Sequence, residues 1–192
     1  MNTRHILDLL DQARSEVEKI DAATEHPKPL GFAAMVLEVA REEIGHGEEG
    51  GNNSGPHVAR YKEILDDGDD DDDGAWCAAF VSWCAEEACR RMGKRLPFKR
   101  SQGAKQLGKR VAKAGKELEA PEPGCVVVWD RGKLKPNGDK SWMGHIGICE
   151  RVEVGILHTI EGNVGRYPSK VRRFQHDLSR EDRIELFAAF PE

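Results

Sequence analysis

One cysteine of this chain lies where a protein can turn a thiol into a nucleophile. Cys77 follows a turn at Gly74 and precedes apolar residues that recur at helical spacing, namely Phe80, Val81, Cys84 and Ala88. This pattern predicts a helix with Cys77 in its first turn. The free N–H groups and the positive dipole end of a helix favour a thiolate over a thiol. Cys77 is therefore the candidate nucleophile, and such a nucleophile needs a base that a third group orients.

A histidine at the start of a predicted strand is the candidate base. The runs 145–152 and 156–161 flank a tight turn, which predicts an antiparallel hairpin. Counting back across this turn places positions near 161 to 163 opposite His145. Glu161 or Asn163 could therefore accept a hydrogen bond from the ring and fix its tautomer. Taken on the hairpin alone, a half-buried strand histidine paired with a carboxylate is the simpler interpretation.

The remaining histidines receive weaker assignments. His5, His26 and His176 lie in polar segments and are predicted to be surface residues. His158 lies nearer the turn, where positions 150 and 151 would be its cross-strand neighbours. What strengthens the catalytic interpretation is the order along the chain: a cysteine at a helix start, a histidine at a strand start, and a polar residue ending the next strand. This order is typical of papain-like enzymes.

The predicted elements change character along the chain. Apolar periodicity predicts helices at 4–22, 31–44, after Pro56, from 77 to about 92, and at 101–114 with Ser101 as the cap. β-branched and alternating runs predict strands at 125–129, 145–152, 156–161, 171–174 and 184–190. Helices followed by strands indicate an α+β domain with N-terminal helices packed on an antiparallel sheet. Because prolines interrupt the first helix, we predict a helical extension at 1–28 and a main domain at 29–192.

Composition places the chain among globular proteins. It has 192 residues, 39% of them hydrophobic and 33% charged, which is enough for one domain with a core. No stretch approaches the roughly 20 apolar residues of a membrane span. The N-terminus lacks the basic start and apolar core of a secretory signal. The five cysteines show no zinc-ligand spacing. We therefore expect synthesis in the cytoplasm, reduced thiols, no membrane partner and no catalytic metal.

Charge is distributed unevenly along the chain. Eight acids lie between Glu63 and Asp73, and eleven bases without an acid lie between Arg90 and Lys116. The basic segment suits a polyanion, or it is a solvated face without a partner. The segment Asp69–Asp73 repeats the first half of a calcium loop, but its last ligand is missing. A solvated, self-repelling loop is the competing interpretation, so no cofactor is expected to be required.

Taken in order, these motifs resemble the CHAP family, the cysteine, histidine-dependent amidohydrolases/peptidases that hydrolyse peptidoglycan. The matching segments are Glu48–Pro56 with Tyr61, Trp76–Cys84, Pro123–Val127, Gly144–Ile148 and His158–Asn163. They cover roughly residues 31–174, and the ordered set, more than any one segment, carries the resemblance. Cys125 is a departure, since the family usually has aspartate after the Pro-Gly pair, but that aspartate is not catalytic.

The resemblance implies a papain-like fold and assigns roles by position. Cys77 would be the nucleophile, His145 the base and Glu161 the orienting residue, with Asn163 as the next polar neighbour. Some relatives bind calcium just before the nucleophile, which corresponds to Asp69–Asp73 here.

Residues beside these positions are candidates for contact with the substrate. Trp76, Asn52 and Asn53 are predicted to line the groove, although Trp76 is equally well explained as a core aromatic.

The expected function is hydrolysis of peptidoglycan peptide amides by an amidase or an endopeptidase. The substrate would be the only partner, with no nucleic acid and a monomeric chain, and the enzyme would reach the wall after lysis, phage delivery or specialised secretion. The alternative is a non-catalytic module that keeps the fold and binds the cell wall or a polyanion through the basic segment.

Overall fold

The computed structural model describes residues 31–63, 74–132 and 141–192. The described helices are α1 (Phe32–Glu42), α2 (Pro56–Glu63), α3 (Cys77–Arg91) and α4 (Ala104–Ala114). The described strands are β1 (Lys116–Leu118), β2 (Val126–Asp130), β3 (Gly144–Glu153), β4 (Ile156–Glu161), β5 (Arg172–Asp177) and β6 (Ile184–Ala189). The predicted extension at 1–28 and the predicted calcium loop lie outside the described residues.

The strands form one antiparallel sheet in the order β1-β6-β2-β3-β4-β5. Strand β2 lies inside this sheet because its residues are apolar on both faces. Val126 and Val128 belong to the main core beneath the helices, whereas Val127 and Trp129 belong to a smaller cluster on the other face. The predicted α+β class and the predicted two-sided burial of this strand are both confirmed.

Helix α3 is the centre of the helical layer. Eleven of its 15 residues are buried, and it contacts α1, α2, α4 and β3. Its small residues, such as Ala78 and Ala85, let the neighbouring elements approach closely, while Phe80 fills the core. Burial of a side chain as large as Phe80 stabilises the fold by roughly 2–3 kcal/mol. The helix start, and Cys77 with it, is therefore held from several sides.

The predicted hairpin is formed by β3 and β4. Val154 and Gly155 make the turn, both with positive φ values of 49° and 77°, as two-residue hairpin turns of the primed type require. The register pairs Ile148 with Ile160, and a bulge follows before Arg151 pairs with His158. His158 therefore lies opposite position 151, as predicted.

Two element ends differ from the predictions by three residues, and one strand was not predicted. Helix α4 begins at Ala104 with Gly103 as its N-cap, and the Ser101 hydroxyl accepts a hydrogen bond from the Gly103 N–H instead of capping the helix. Strand β1 was not predicted because its three residues are mostly polar and exposed. Strand β5 continues to Asp177, beyond the predicted end at 174. Among the described helices, none has the length and hydropathy needed to cross a bilayer.

Candidate active site

Cys77 is the first residue of α3, and Trp76 is its N-cap. No side chain caps this end of the helix. The free N–H groups and the positive end of the helix dipole therefore stabilise a negative charge placed there. The Cys77 residue is 5% exposed. Cys77 therefore occupies the predicted first turn, at a helix end that favours a negative charge.

His145 is the second residue of β3 and is buried. Its Nε2 lies 2.7 Å from Oε2 of Glu161. Because a carboxylate only accepts hydrogen bonds, this contact places the ring proton on Nε2 and leaves a lone pair on Nδ1. Nδ1 is buried and forms no hydrogen bond within the described residues. It is the nitrogen left to take a proton from Cys77, and such contacts are often poorly aligned without substrate.

Burial and neighbouring groups shift the pKa values of Cys77 and His145 in opposite directions. Burial raises the pKa of the Cys77 thiol, but the His145 ring and the charge of Arg131 lower it by more, so the pKa of Cys77 lies below its ordinary value. Burial lowers the pKa of His145, but its interactions with Cys77 and Glu161 raise it by more. Both shifts favour a thiolate beside an imidazolium.

Glu161 ends β4 and is 2% exposed. Burial raises its pKa, but hydrogen bonds from His145 and His176 outweigh burial and lower the pKa to about 2. Its side chain needs the space beside Gly147, where a Cβ atom would lie 2.6 Å from the Glu161 Cγ. The glycine in β3 is therefore what allows this carboxylate to reach His145.

Asn163 is placed differently from Glu161. It has a positive φ of 61° and is half-buried. When the Asn53 amide is oriented to satisfy its neighbours, its nitrogen donates to Asn163 Oδ1 at 3.3 Å. No hydrogen bond joins Asn163 to His145 in the described parts of the chain. Of the two alternatives left open by the sequence, Glu161 is the one that contacts the base.

The expectation that Trp76 lines a substrate groove is wrong. Its side chain is fully buried, and its ring packs 5.7 Å from that of Tyr61. Its Nε1 donates to Oε1 of the buried Glu48, which also accepts from the backbone N–H groups of Asn53 and Ser169. Glu48 thus connects the glycine-rich loop of residues 45–55 to the residue before Cys77. Trp76 is the core aromatic that the sequence allowed as the alternative.

Asn52 and Asn53 remain accessible in this loop. Asn52 is exposed, and Asn53 is half-buried beside Glu48 and Asn163. Their predicted contact with a substrate stays a prediction.

His176 was predicted to be a surface residue, and this is wrong. Its ring is half-buried, its Nε2 lies 2.7 Å from Oε1 of Glu161, and it packs 5.0 Å from the Trp129 ring. The missed signal is the length of β5. Position 176 pairs with Leu157, which shares a face of β4 with Glu161. Because the strand was predicted to end at 174, His176 was not assigned to the sheet, and its position beside Glu161 was not foreseen.

One group of described residues could offer ligands to a metal. Side-chain atoms of Glu43, His46 and His57 lie within 4.8 Å of one another. However, the Arg60 guanidinium and the Tyr61 hydroxyl both donate to Oε2 of Glu43, and Arg60 also lies 3.4 Å from the His57 Nδ1. A cation already compensates this carboxylate and would repel a metal, so we assign no metal here.

Comparisons with known proteins give one family match and a likeness in fold. The sequence model of the CHAP domain family matches residues 69–163. Two solved structures resemble the chain: the crystal structure of Ly7917, with TM-score 0.50 and 17% identity, and that of Ly7917 with the hydrolyzing product of MDP, with TM-score 0.52 and 16% identity. Each alignment covers 83% of this chain and 62% of Ly7917.

At these identities the likeness to Ly7917 shows a shared fold, and the chain spans 62% of the length of that protein. Comparison with curated protein sequences gives no significant match. The matched span contains Cys77, His145, Glu161 and Asn163 in the order that the motifs predicted. The chain is therefore similar in sequence to the CHAP domain family over residues 69–163, which is 95 of its 192 residues.

Proposed function

We propose that this domain is a peptidoglycan hydrolase that cleaves a peptide amide bond through a thiol mechanism. The observation that carries the proposal is the buried pair of His145 Nε2 and Glu161 Oε2 at 2.7 Å, next to a cysteine whose pKa is lowered. The match of residues 69–163 to the CHAP domain family supports the substrate class. So does the fold shared with Ly7917, which was solved with the hydrolyzing product of MDP.

The proposed reaction begins with proton transfer from Cys77 to Nδ1 of His145. The thiolate attacks the amide carbonyl carbon, a C–S bond forms, and the carbonyl oxygen takes the negative charge. The imidazolium then protonates the amide nitrogen, the C–N bond breaks and the amine leaves. Water attacks the resulting thioester while His145 takes its proton, and the acid product and the Cys77 thiol are released.

The start of α3 would stabilise the oxyanion. The backbone N–H of Cys77 lies at the first position of the helix, where it has no partner within the helix. A preorganised donor at this place contributes about 3 kcal/mol to the stabilisation of the transition state. Glu161 would hold the imidazolium in place and compensate its charge.

Exposed residues next to the site are the candidates for binding the substrate. Trp142 and Met143 precede β3 and are 61% and 49% exposed, so these apolar side chains are accessible to solvent and lie near His145 in sequence. Tyr167, which is 49% exposed, follows Asn163 in the next loop. With Asn52 they offer apolar and amide groups, which suit a sugar-linked peptide.

Replacement of Cys77 tests the proposal. Cys77→Ala should abolish the loss of turbidity of purified cell walls, because no other described cysteine lies beside the histidine–carboxylate pair. Cys89→Ala is the matched control, since Cys89 is also a buried cysteine of α3, and this variant should keep most of the activity. Mass spectrometry of the released fragments distinguishes an amidase from an endopeptidase. Full wall hydrolysis by Cys77→Ala would overturn the proposal.

One observation favours a second candidate function, the binding of a polyanion. A cleft of about 570 Å³ lies at the C-terminal end of α3, and five of its lining residues are cations: Arg90, Lys94, Arg95, Lys99 and Arg100. It is at the opposite end of α3 from Cys77, about 20 Å away along the helix. Binding here is compatible with catalysis, so it supplements the first candidate.

A further inference from the structure

Both oxygens of the Glu161 carboxylate are occupied. Oε2 accepts from His145, while Oε1 lies 2.7 Å from Nε2 of His176 and also accepts from the Thr159 hydroxyl. A carboxylate with only one partner can rotate about its terminal bond. With Oε1 held by two donors, Oε2 has a fixed position from which to orient the His145 ring.

The groups around His176 hold its ring in place and favour its protonated form. Nδ1 of the ring lies 3.4 Å from Oε2 of Glu181, so each ring nitrogen faces a carboxylate. The hydrogen bond to Glu161 is the main cause that raises the pKa of His176, and the Glu181 carboxylate adds to it. The Trp129 ring packs against both histidines, with ring centroids 5.5 Å from His145 and 5.0 Å from His176. These contacts favour the protonated form of His176, whose ring contacts the Glu161 oxygen that His145 does not.

We propose that His176 is a positioning residue, which anchors Glu161 through Oε1 and draws part of the carboxylate's charge away from His145. The chain of contacts would then run Cys77, His145, Glu161, His176. This inference rests on the proposed function, since it gives His176 a part in the same thiol mechanism. His176 itself does not touch the reacting atoms.

The two effects of His176 on the base have opposite signs. The anchor keeps Oε2 against His145 and so stabilises the imidazolium. The positive charge of His176 competes for the same carboxylate and so weakens this stabilisation. His176→Gln keeps an N–H donor that can reach Oε1 but removes the charge, whereas His176→Phe removes both. The difference between these variants therefore isolates the anchor.

Titration of His145 by NMR tests the inference without any substrate. The Cys77→Ala background removes the thiol and leaves the Glu161 pair in place. In that background, His176→Gln should raise the pKa of His145, because the Glu161 charge then acts on one histidine only. His176→Phe should give a lower pKa of His145 than His176→Gln, because Glu161 is free to turn away. Identical pKa values in the two variants would overturn the anchor, and an unchanged pKa in His176→Gln would overturn the charge effect.

Wall hydrolysis supplies the second readout. His176→Phe in the chain with Cys77 intact should lower kcat/KM by about tenfold or more, since a small misplacement of a catalytic group has effects of this size. His176→Gln should restore most of this loss, which a merely structural role would not predict. If the unmodified protein fails to hydrolyse walls, the proposed function fails, while the titration still decides whether His176 anchors Glu161.

Discussion

At the scale of single residues, the reactive state is set by opposing pKa shifts on Cys77 and His145. The thiolate forms as pH rises through the lowered pKa of Cys77, and the imidazolium is lost as pH rises through the raised pKa of His145. The pH dependence of kcat/KM should therefore be bell-shaped. Its acid limb should lie below about pH 8.5, the ordinary value for a thiol, and its alkaline limb above about pH 6.5, the ordinary value for histidine.

Replacement of Glu161 tests whether the alkaline limb of the pH profile reports the pKa of His145. Glu161→Gln keeps the shape of the side chain but removes the charge that helps to raise the pKa of His145. The alkaline limb should move to lower pH, and kcat/KM should fall by about a hundredfold because no negative charge then compensates the imidazolium. Asn163→Ala is the comparison, since Asn163 makes no hydrogen bond to His145 within the described residues. An alkaline limb that stays in place in Glu161→Gln would contradict this account.

At the scale of elements, the spacing of β3 and β4 decides whether Glu161 can reach the base. A Cβ atom on Gly147 would lie 2.6 Å from the Glu161 Cγ and 3.2 Å from the Ile160 carbonyl oxygen. Gly147→Ala should therefore displace Glu161, lower kcat/KM at least about tenfold, and reduce the free energy of unfolding by roughly 1–3 kcal/mol. Steady-state kinetics and denaturant titration measure the two effects. Gly103→Ala is the control, because its nearest neighbour would lie at an ordinary 3.4 Å, and equal losses in both variants would contradict the argument.

Periodicity explains which elements and which site residues could be predicted. Apolar spacing was sufficient for α3 and for the β3–β4 hairpin, so Cys77, His145 and the region of Glu161 came together as expected. Glu161 is the last residue of β4 and contacts His145, whereas Asn163 lies beyond the strand with a positive φ, and no apolar pattern encodes where the strand ends. The sequence left the position of Trp76 open because an aromatic side chain at a helix start can face either the core or a substrate groove. Its burial depends on the Glu48 carboxylate, which is 28 positions distant in sequence.

At the scale of the whole molecule, the basic cleft and the candidate active site lie at opposite ends of α3. Some of the cleft's cations are paired: Arg90 with Glu87 at 2.7 Å and Arg100 with Glu86 at 3.4 Å. Lys94, Arg95 and Lys99 are exposed and form no ion pair within the described residues. The single aromatic residue that lines the cleft, Phe98, stacks on Phe190, so one face of its ring is not available to a nucleic-acid base.

This arrangement predicts binding of a phosphate-bearing wall polymer through charge alone. In a Cys77→Ala background, which leaves walls intact, K94Q/R95Q/K99Q should weaken cosedimentation with walls by about tenfold at low salt and flatten its salt dependence. K113Q/R172Q/R180Q removes the same charge from exposed bases outside the cleft and should bind as the unsubstituted protein does. Both triple variants should bind equally weakly to walls from which the phosphate polymer has been removed. Equal binding of the two triple variants to intact walls would refute a role for the cleft, and tighter binding to duplex DNA than to walls would assign it to nucleic acid instead.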